Sequence, residues 1–429
     1  MMVWKRLSFY VAVFGCFLMM GHFGMLRAAE TDSARLIDLL KSKNILTQQE
    51  ADALVKEVNE KTKKERAEIK EALQKAAAKG EFLPSALKEF KFGTTIYSGW
   101  AATSKFSGND ANTNKFYLER GYLTLSKDIN DWLSMRMTTD LFTSKDADDV
   151  GNGLELRIKY AYAALKLFGT TTMIGMVPTP SDAYDGSIWP YRVQGKHFLD
   201  AMSIQSSADL GIVNRGTFGG NMDDEYLKYG SKDFAGKWGG YMIGLYNGPG
   251  YDNDESTSNS DKPVSGLIYL RPMPNIPVLK GLQLAYVGTY GKSNNKFAAG
   301  SGPTTNYPDW QVNIGQISLV HPYFGLMGQY YWGKGTKAST NDKKQDGYLA
   351  SAFIRMPGVE KLRVFGKYYT FNPDKDSTQS KDYAVYVAGL SYDVSKEFMP
   401  FVAWEREDSK VNAGRTDYNK YQIGFQLAF

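Results

Sequence analysis

Two short segments place charged side chains at every second position. In "LELRIKYAYAAL", Glu155, Arg157 and Lys159 alternate with Leu154, Leu156, Ile158, Tyr160 and Tyr162. In "WLSMRMTTDL", Ser134, Arg136 and Asp140 oppose Leu133, Met135 and Met137. A period of two is that of an extended strand with one polar and one apolar face. Charges gathered on such a face break no bonds, but they can discriminate between solutes. A guanidinium presents forked donors that fit an oxyanion, and a carboxylate repels one. Arg120, Arg363 and Lys367 lie where the alternation is weaker and join the same set. The plainer alternative is a merely polar face on which Arg157 pairs across strands with a neighbouring acid.

Bond-breaking chemistry finds little support. Hydrolysis through an activated nucleophile needs a histidine–acid pair beside a serine or water. His197 lies in a long connection and His321 in the short turn "LVHPYF". The architecture derived below puts them at opposite ends, so no dyad is expected and the chain reads as a non-enzyme. The third histidine, His22, and the single cysteine, Cys16, both fall in an N-terminal apolar run. No thiol chemistry, haem attachment, iron–sulfur cluster, metal site or other cofactor is expected. "DNDES" has carboxylates but lacks EF-hand spacing, and solvated surface is its default reading.

The elements that carry these residues are strands. Mean hydropathy is −0.39, which excludes a bundle of transmembrane helices. From Phe90 onward the chain is rich in Tyr, Gly, Phe and Trp, and period-two alternation replaces helical periodicity. This part carries 36 Lys and Arg against 34 Asp and Glu, with no basic block of the kind nucleic acid would require. Long connections near 105–114, 143–152, 178–206, 247–263, 292–309, 334–346, 371–381 and 408–417 alternate with short ones near 127–131, 168–170, 231–237, 271–281, 320–323, 356–361 and 393–397. Fifteen connections imply sixteen antiparallel strands, an even number that leaves both ends of the strand series on the short-turn side. Long loops at one end and tight turns at the other mark an all-β transmembrane barrel. "ADLGIVNRG" at 208–216 alternates weakly and is assigned to the end of the third long loop, since counting it separately would give seventeen.

Before Phe90 the composition differs. Residues 1–29 read as a secretory signal peptide: Lys5 and Arg6, then the apolar run Leu7–Leu26, then small residues at Ala28 and Ala29. An uncleaved membrane anchor is the alternative. Residues 30–89 read as a helical segment in the periplasm, with Thr47 and Glu50 as a capping box and Gly80 as a stop. Leu54, Val58, Ile69, Ala72 and Ala76 fall near heptad positions, but Lys61 and Glu65 interrupt the seam. A short coiled coil and a solvated spacer both remain open.

The chain closes on "YNKYQIGFQLAF", in which Tyr421, Ile423, Phe425, Leu427 and Phe429 share one parity. Unpaired backbone in lipid is costly, so the last strand of a barrel must pair with the first. These five residues are expected to face lipid, and a terminal Phe on such a strand looks like the signal read by the outer-membrane assembly machinery. The third long loop, "PTPSDAYDGSIWPYRVQGKHFLD", carries Trp189 and Tyr191, aromatics that a solvated loop does not need. It is expected to fold into the lumen and narrow it, presenting Arg192, Lys196 and His197. An external cap against neighbouring loops or subunits is the alternative.

The layout resembles the phosphate-selective porin O and P family of Gram-negative outer membranes. The likeness rests on the signal peptide, "LLKSKNILTQQEADAL", "KFYLERGYLTLSKDINDWLSMRMTTDLF", "YMIGLYNGPG" and "QIGFQLAF". It implies a homotrimer of sixteen-stranded barrels, each with its own channel for small hydrophilic solutes, a helical periplasmic extension and an infolded third loop. The family's pores are lined by many arginines and lysines. Here Arg120, Arg136, Arg157 and Lys159 occupy the matching strands, but Glu119, Asp140 and Glu155 lie among them, so preference for anions or phosphate stays open. So does a second class of function, a barrel scaffold that holds a redox or adhesin partner without open conduction.

Overall fold

The computed structural model describes Lys43, residues 47–50, 52–57, 60–61 and 63–64, and residues 89–429 except 106–111, 144–152, 252–258, 304, 379–380 and 411–416. The expected signal peptide, most of the expected coiled coil and the "DNDES" stretch lie outside the described residues. The chain divides between Glu89 and Phe90.

In the N-terminal part the described helical residues include 48–50 and 52–57, taken as α1, and 60–61 and 63–64. Thr47 and Glu50 form a reciprocal cap. The Thr47 amide donates to the Glu50 carboxylate at 2.9 Å, and the Glu50 amide donates to Thr47 Oγ1 at 3.3 Å. Two of the amides that a helix N-terminus leaves unpaired are thereby satisfied.

Among the described residues, sixteen strands follow: β1 (Lys91–Lys105), β2 (Thr113–Asp128), β3 (Leu133–Thr143), β4 (Leu154–Leu167), β5 (Thr170–Pro178), β6 (Ala208–Phe218), β7 (Gly239–Tyr246), β8 (Val264–Leu270), β9 (Leu282–Lys292), β10 (Asp309–Val320), β11 (Phe324–Lys334), β12 (Lys344–Met356), β13 (Val359–Asn372), β14 (Tyr383–Tyr392), β15 (Phe398–Ser409) and β16 (Tyr418–Ala428). Each pairs antiparallel with its sequence neighbours, and β16 pairs with β1, so the sheet is a closed barrel. At the seam, Phe429 and Thr94 exchange both backbone hydrogen bonds, at 2.7 and 2.9 Å. Closure leaves no edge strand.

The outward face is apolar. Leu154, Leu156, Ile174, Ile243, Ile268, Ile317, Ile354, Leu390 and Ile423 are all exposed. Tyr421 and Phe429 are exposed on the same side of β16, whereas Gln422 on the opposite parity is buried.

Two expectations are corrected. Residues 208–218 are a full strand, β6, and 219–238 is the connection that follows it, in place of a tight turn at 231–237. Gly219 and Gly220, both at positive φ, end the strand. The count stays at sixteen because only one strand occupies the interval. On β4 the parity also changes midway. Thr138 pairs with Tyr160 and Thr139 with Ile158, which leaves Lys159 as an extra residue in a β-bulge. Beyond it Tyr160 and Tyr162 turn to the inside, where the Arg136 guanidinium lies 4.9 Å from the Tyr160 ring centroid.

Candidate functional site

Residues 179–207 connect β5 to β6 inside the barrel. They contain two short helical turns, α2 (Pro180–Gly186) and α3 (Phe198–Ala201). Their side chains reach inward-facing groups around much of the circumference. Tyr184 donates to Gln283 of β9 at 3.2 Å, and Gln329 of β11 donates to Asp185 at 2.7 Å. Tyr191 stacks on Phe365 of β13 at 4.0 Å and bonds Ser391 of β14 at 3.0 Å. Gln194 donates to Glu405 of β15 at 2.6 Å, and Arg192 pairs with Glu119 of β2 at 3.6 Å. The aromatics singled out in this loop are the reason it lies inside. Trp189 and Tyr191 are buried with Ile188, Val193, Phe198 and Leu199 against the strands. Burying a large apolar side chain stabilises by roughly 2 kcal/mol, and a loop held in external solvent would forgo that.

The loop divides the interior unequally. Its apolar side packs against β7–β14, whose inward residues include Met242, Leu267, Val287, Ile314, Tyr331 and Phe365. The opposite wall, β1–β4, is charged and aromatic. There Asp140, fully buried, lies between Arg157 at 3.1 Å and Arg120 at 3.7 Å. Cross-strand register creates this: Asp140 stands opposite Arg157 on one side and Tyr122 on the other. Arg157 therefore does pair with a neighbouring acid. Phe142 lies beneath both guanidinium groups, at 4.0 Å from Arg157 and 5.3 Å from Arg120. Lys159 reaches the Tyr122 ring at 4.9 Å. Rings that carry a cation on one face add attraction without neutralising it.

Each of the other sequence-derived residues has a definite place. Arg136 lies further toward the short-turn end, in a cavity of about 190 Å³ lined also by Lys91, Lys127, Lys166, Arg215 and Asp128. Glu155 is half-buried near the long-loop end of β4. Arg363 sits at the short-turn rim, bonded to Asp393. Lys367 shares a small cavity with Asp185, Trp189, Lys196 and His197. Lys196 pairs with Asp200 at 3.0 Å, and His197 Nδ1 lies 2.8 Å from Asp182. Arg120, Asp140, Arg157 and Lys159 are thus brought together, while Lys196 and His197 belong to the loop's own network. Among the described residues no group of three or more His, Cys, Asp or Glu side chains could hold a metal ion.

Two loop carboxyls have displaced pKa values. Burial pushes Asp185 up to about 7, reinforced by the charge of Asp182 and opposed by His197 and the Gln329 hydrogen bond. For Asp182 burial also acts upward, but His197, Lys159 and Arg192 outweigh it and hold the carboxyl well below its usual range.

One member of the cluster had no sequence signal. Tyr251, in the connection from β7 to β8, accepts a hydrogen bond from Arg157 Nη2 at 3.1 Å and donates one to Asp140 at 3.1 Å. The loop around it reads as solvated surface, and only its neighbours Gly248 and Gly250, both at positive φ, hint at a fixed path.

A closed sixteen-stranded barrel with a connection folded into its lumen is the architecture of residues 90–429. Among solved structures it is similar to the anion-selective porin from Comamonas acidovorans, at 14% identity and a TM-score of 0.55, over 79% of this chain and 99% of that one. It is also similar to Salmonella typhi OmpF solved with daunomycin, at 12% identity and a TM-score of 0.54, over 79% and 97%. OprB of Pseudomonas putida matches at 10% identity and a TM-score of 0.51, over 80% and 94%. Likenesses at this identity are likenesses of fold. No family model matches the chain, and no curated protein matches it.

Proposed function

We propose that the protein is a porin of the Gram-negative outer membrane, a passive diffusion channel for small hydrophilic solutes with a preference for anions. The observation that carries the preference is the positive strip along the inside of β2–β4. Arg120, Arg157 and Lys159 begin it, Arg136 continues it, and the cavity at its short-turn end is lined by Lys91, Lys127, Lys166 and Arg215, with Asp128 beside Lys91 and Lys166 and Asp233 paired to Arg215. A strip in which cations outnumber acids concentrates anions and raises their rate of entry. The exposed apolar exterior supports a lipid environment, since bands of this extent are not left in water. The same reading includes export through residues 1–29, recognition of β16 by the assembly machinery, and a homotrimer. The sequence resemblance supports phosphate as one of the permeating anions.

Single-channel conductance of purified protein in a planar bilayer tests this. Expected are stable steps, a reversal potential favouring anions in a potassium chloride gradient, and a block of chloride current by added phosphate. Cation-favouring reversal would remove the anion preference. An absence of steps from folded barrels would leave the scaffold reading in its place.

A further inference from the structure

We infer that Tyr251 is a specificity-determining residue of the charged wall, one that limits how strongly the Arg157–Lys159 cations act on solutes in the lumen. The inference rests on the channel reading above and deepens it. Three features of the contact support it. The hydroxyl is shared between Arg157, from which it accepts, and Asp140, to which it donates. The ring lies 4.4 Å from the Arg157 guanidinium and 5.7 Å from Lys159 Nζ, so it covers both cations at once. Phe142 lies at 4.0 Å from the same guanidinium, so Arg157 contacts two aromatic rings.

The position of Tyr251 is built into the fold. Asp209 of β6 accepts the Gly248 amide at 2.6 Å and the Leu210 amide at 2.8 Å. Asn247 N–H donates to Leu210 O at 2.9 Å, and Tyr251 N–H to Ala208 O at 3.0 Å. Gly248 has a φ of 108°, and a Cβ there would come within 2.7 Å of Asn294. The root of the connection is clamped on β6, one strand beyond β5 from the cations of β4, and the clamp delivers Tyr251 to them. A phenol in this place fills space beside the cations and engages them, two effects with different consequences for permeation. Simple filling obstructs anions and cations alike. A ring laid over the cations leaves their charge intact but holds solutes further from it, which lowers the advantage of anions.

The test separates the two. Tyr251→Ala and Tyr251→Phe are measured for the anion-to-cation permeability ratio in bilayers. Tyr251→Ala is expected to raise the ratio about two- to three-fold, by analogy with the modest energies of exposed cation–π contacts. Tyr251→Phe keeps the ring and is expected to fall between that variant and the natural protein. An unchanged ratio with conductance raised equally for both ions would overturn the proposal, as would a lowered ratio. A second measurement does not depend on conduction. With the single cysteine removed as Cys16→Ser, Lys159→Cys is modified with a small anionic methanethiosulfonate, with and without Tyr251→Ala. Several-fold faster modification in the absence of the phenol is expected, and an equal rate would overturn shielding. Faster labelling in a protein that shows no conductance would remove the channel reading, and with it the specificity role, while showing that Tyr251 shields the cations.

Discussion

The two walls of the lumen obey different rules. On β7–β14 the inward side chains are mainly apolar, with Gln283, Gln329 and Ser391 interspersed, and meet a loop that fills the space against them. On β2–β4 they are charged or aromatic and are satisfied by one another across strands. The first wall behaves mainly as a protein core, in which packing dominates and a few hydrogen bonds, such as Tyr184 to Gln283, tie the loop to it. The second is a polar network in which the partners of each charge are specified by register. The same 179–207 segment touches both, and it is what makes them different: where its apolar residues dock, inward positions are free to be apolar, and where its charges face, inward positions remain polar.

Removing the loop's middle, 186–198, should break the contrast most completely. The barrel wall would then line a wider, wetter lumen, and conductance is expected to rise several-fold while resistance to thermal unfolding drops. Unchanged conductance would mean that the segment does not restrict the path. A narrower probe of the packed wall is Tyr191→Ala. Tyr191 is fully buried and stacked on Phe365, and truncation of a buried aromatic costs about 3–5 kcal/mol. The expected result is a clear loss of stability in denaturant titration, and a loss under about 1 kcal/mol would show that the wall does not behave as a core.

The packed wall should respond to pH through Asp185, which Gln329 of β11 engages. Its folded pKa, about 7, lies above the ordinary carboxylate value. The folded protein therefore holds this proton more tightly than the unfolded chain does, and the group's contribution to stability declines as pH rises from the ordinary carboxylate range to about 7. Asp182 has the opposite sign: its contribution is present above the ordinary range and is lost only in strong acid. Asp185→Asn should stabilise the barrel at pH 8 relative to the natural protein and leave it little changed at pH 4. Equal effects at both values would place the titration elsewhere. Charge alone, at the solvent-exposed end of the charged wall, should matter least to stability. Lys91 and Asp128 are 2.7 Å apart at the exposed short-turn end, and Lys91→Ala is expected to leave the thermal midpoint unaltered within error.

The contrast also explains what could be read without a structure. Strands of the charged wall announce themselves, because polar and apolar residues alternate in "WLSMRMTTDL" and in the first half of β4. Strands of the packed wall carry apolar residues on both faces, one toward the outside and one toward the loop. In β6, next to this wall, Ile212 is exposed outward while its neighbour Val213 is fully buried inward, so alternation is locally lost and the strand reads as loop. The lumen cations were legible by parity as far as Arg157. The inward turn of Tyr160 and Tyr162 was not, because a tyrosine suits either face and the bulged residue, Lys159, is polar enough to leave the pattern looking unbroken. Tyr251 was invisible for another reason: its role depends on a clamp by Asp209, which lies far away in sequence.

The extra residue on β4 has a counterpart on β2. There the register with β1 shifts between Tyr97 and Ser98, leaving Glu119 as the unpaired position next to Arg120. A substitution changes one lining group, but the gain or loss of one codon within a strand exchanges the inner and outer sets of every residue beyond it. Two such steps flank the cation cluster, each adding a charged residue while the strand stays in the barrel. The lumen of this fold can thus be rewritten by length changes of a single residue, a route of divergence that leaves strand number and closure untouched.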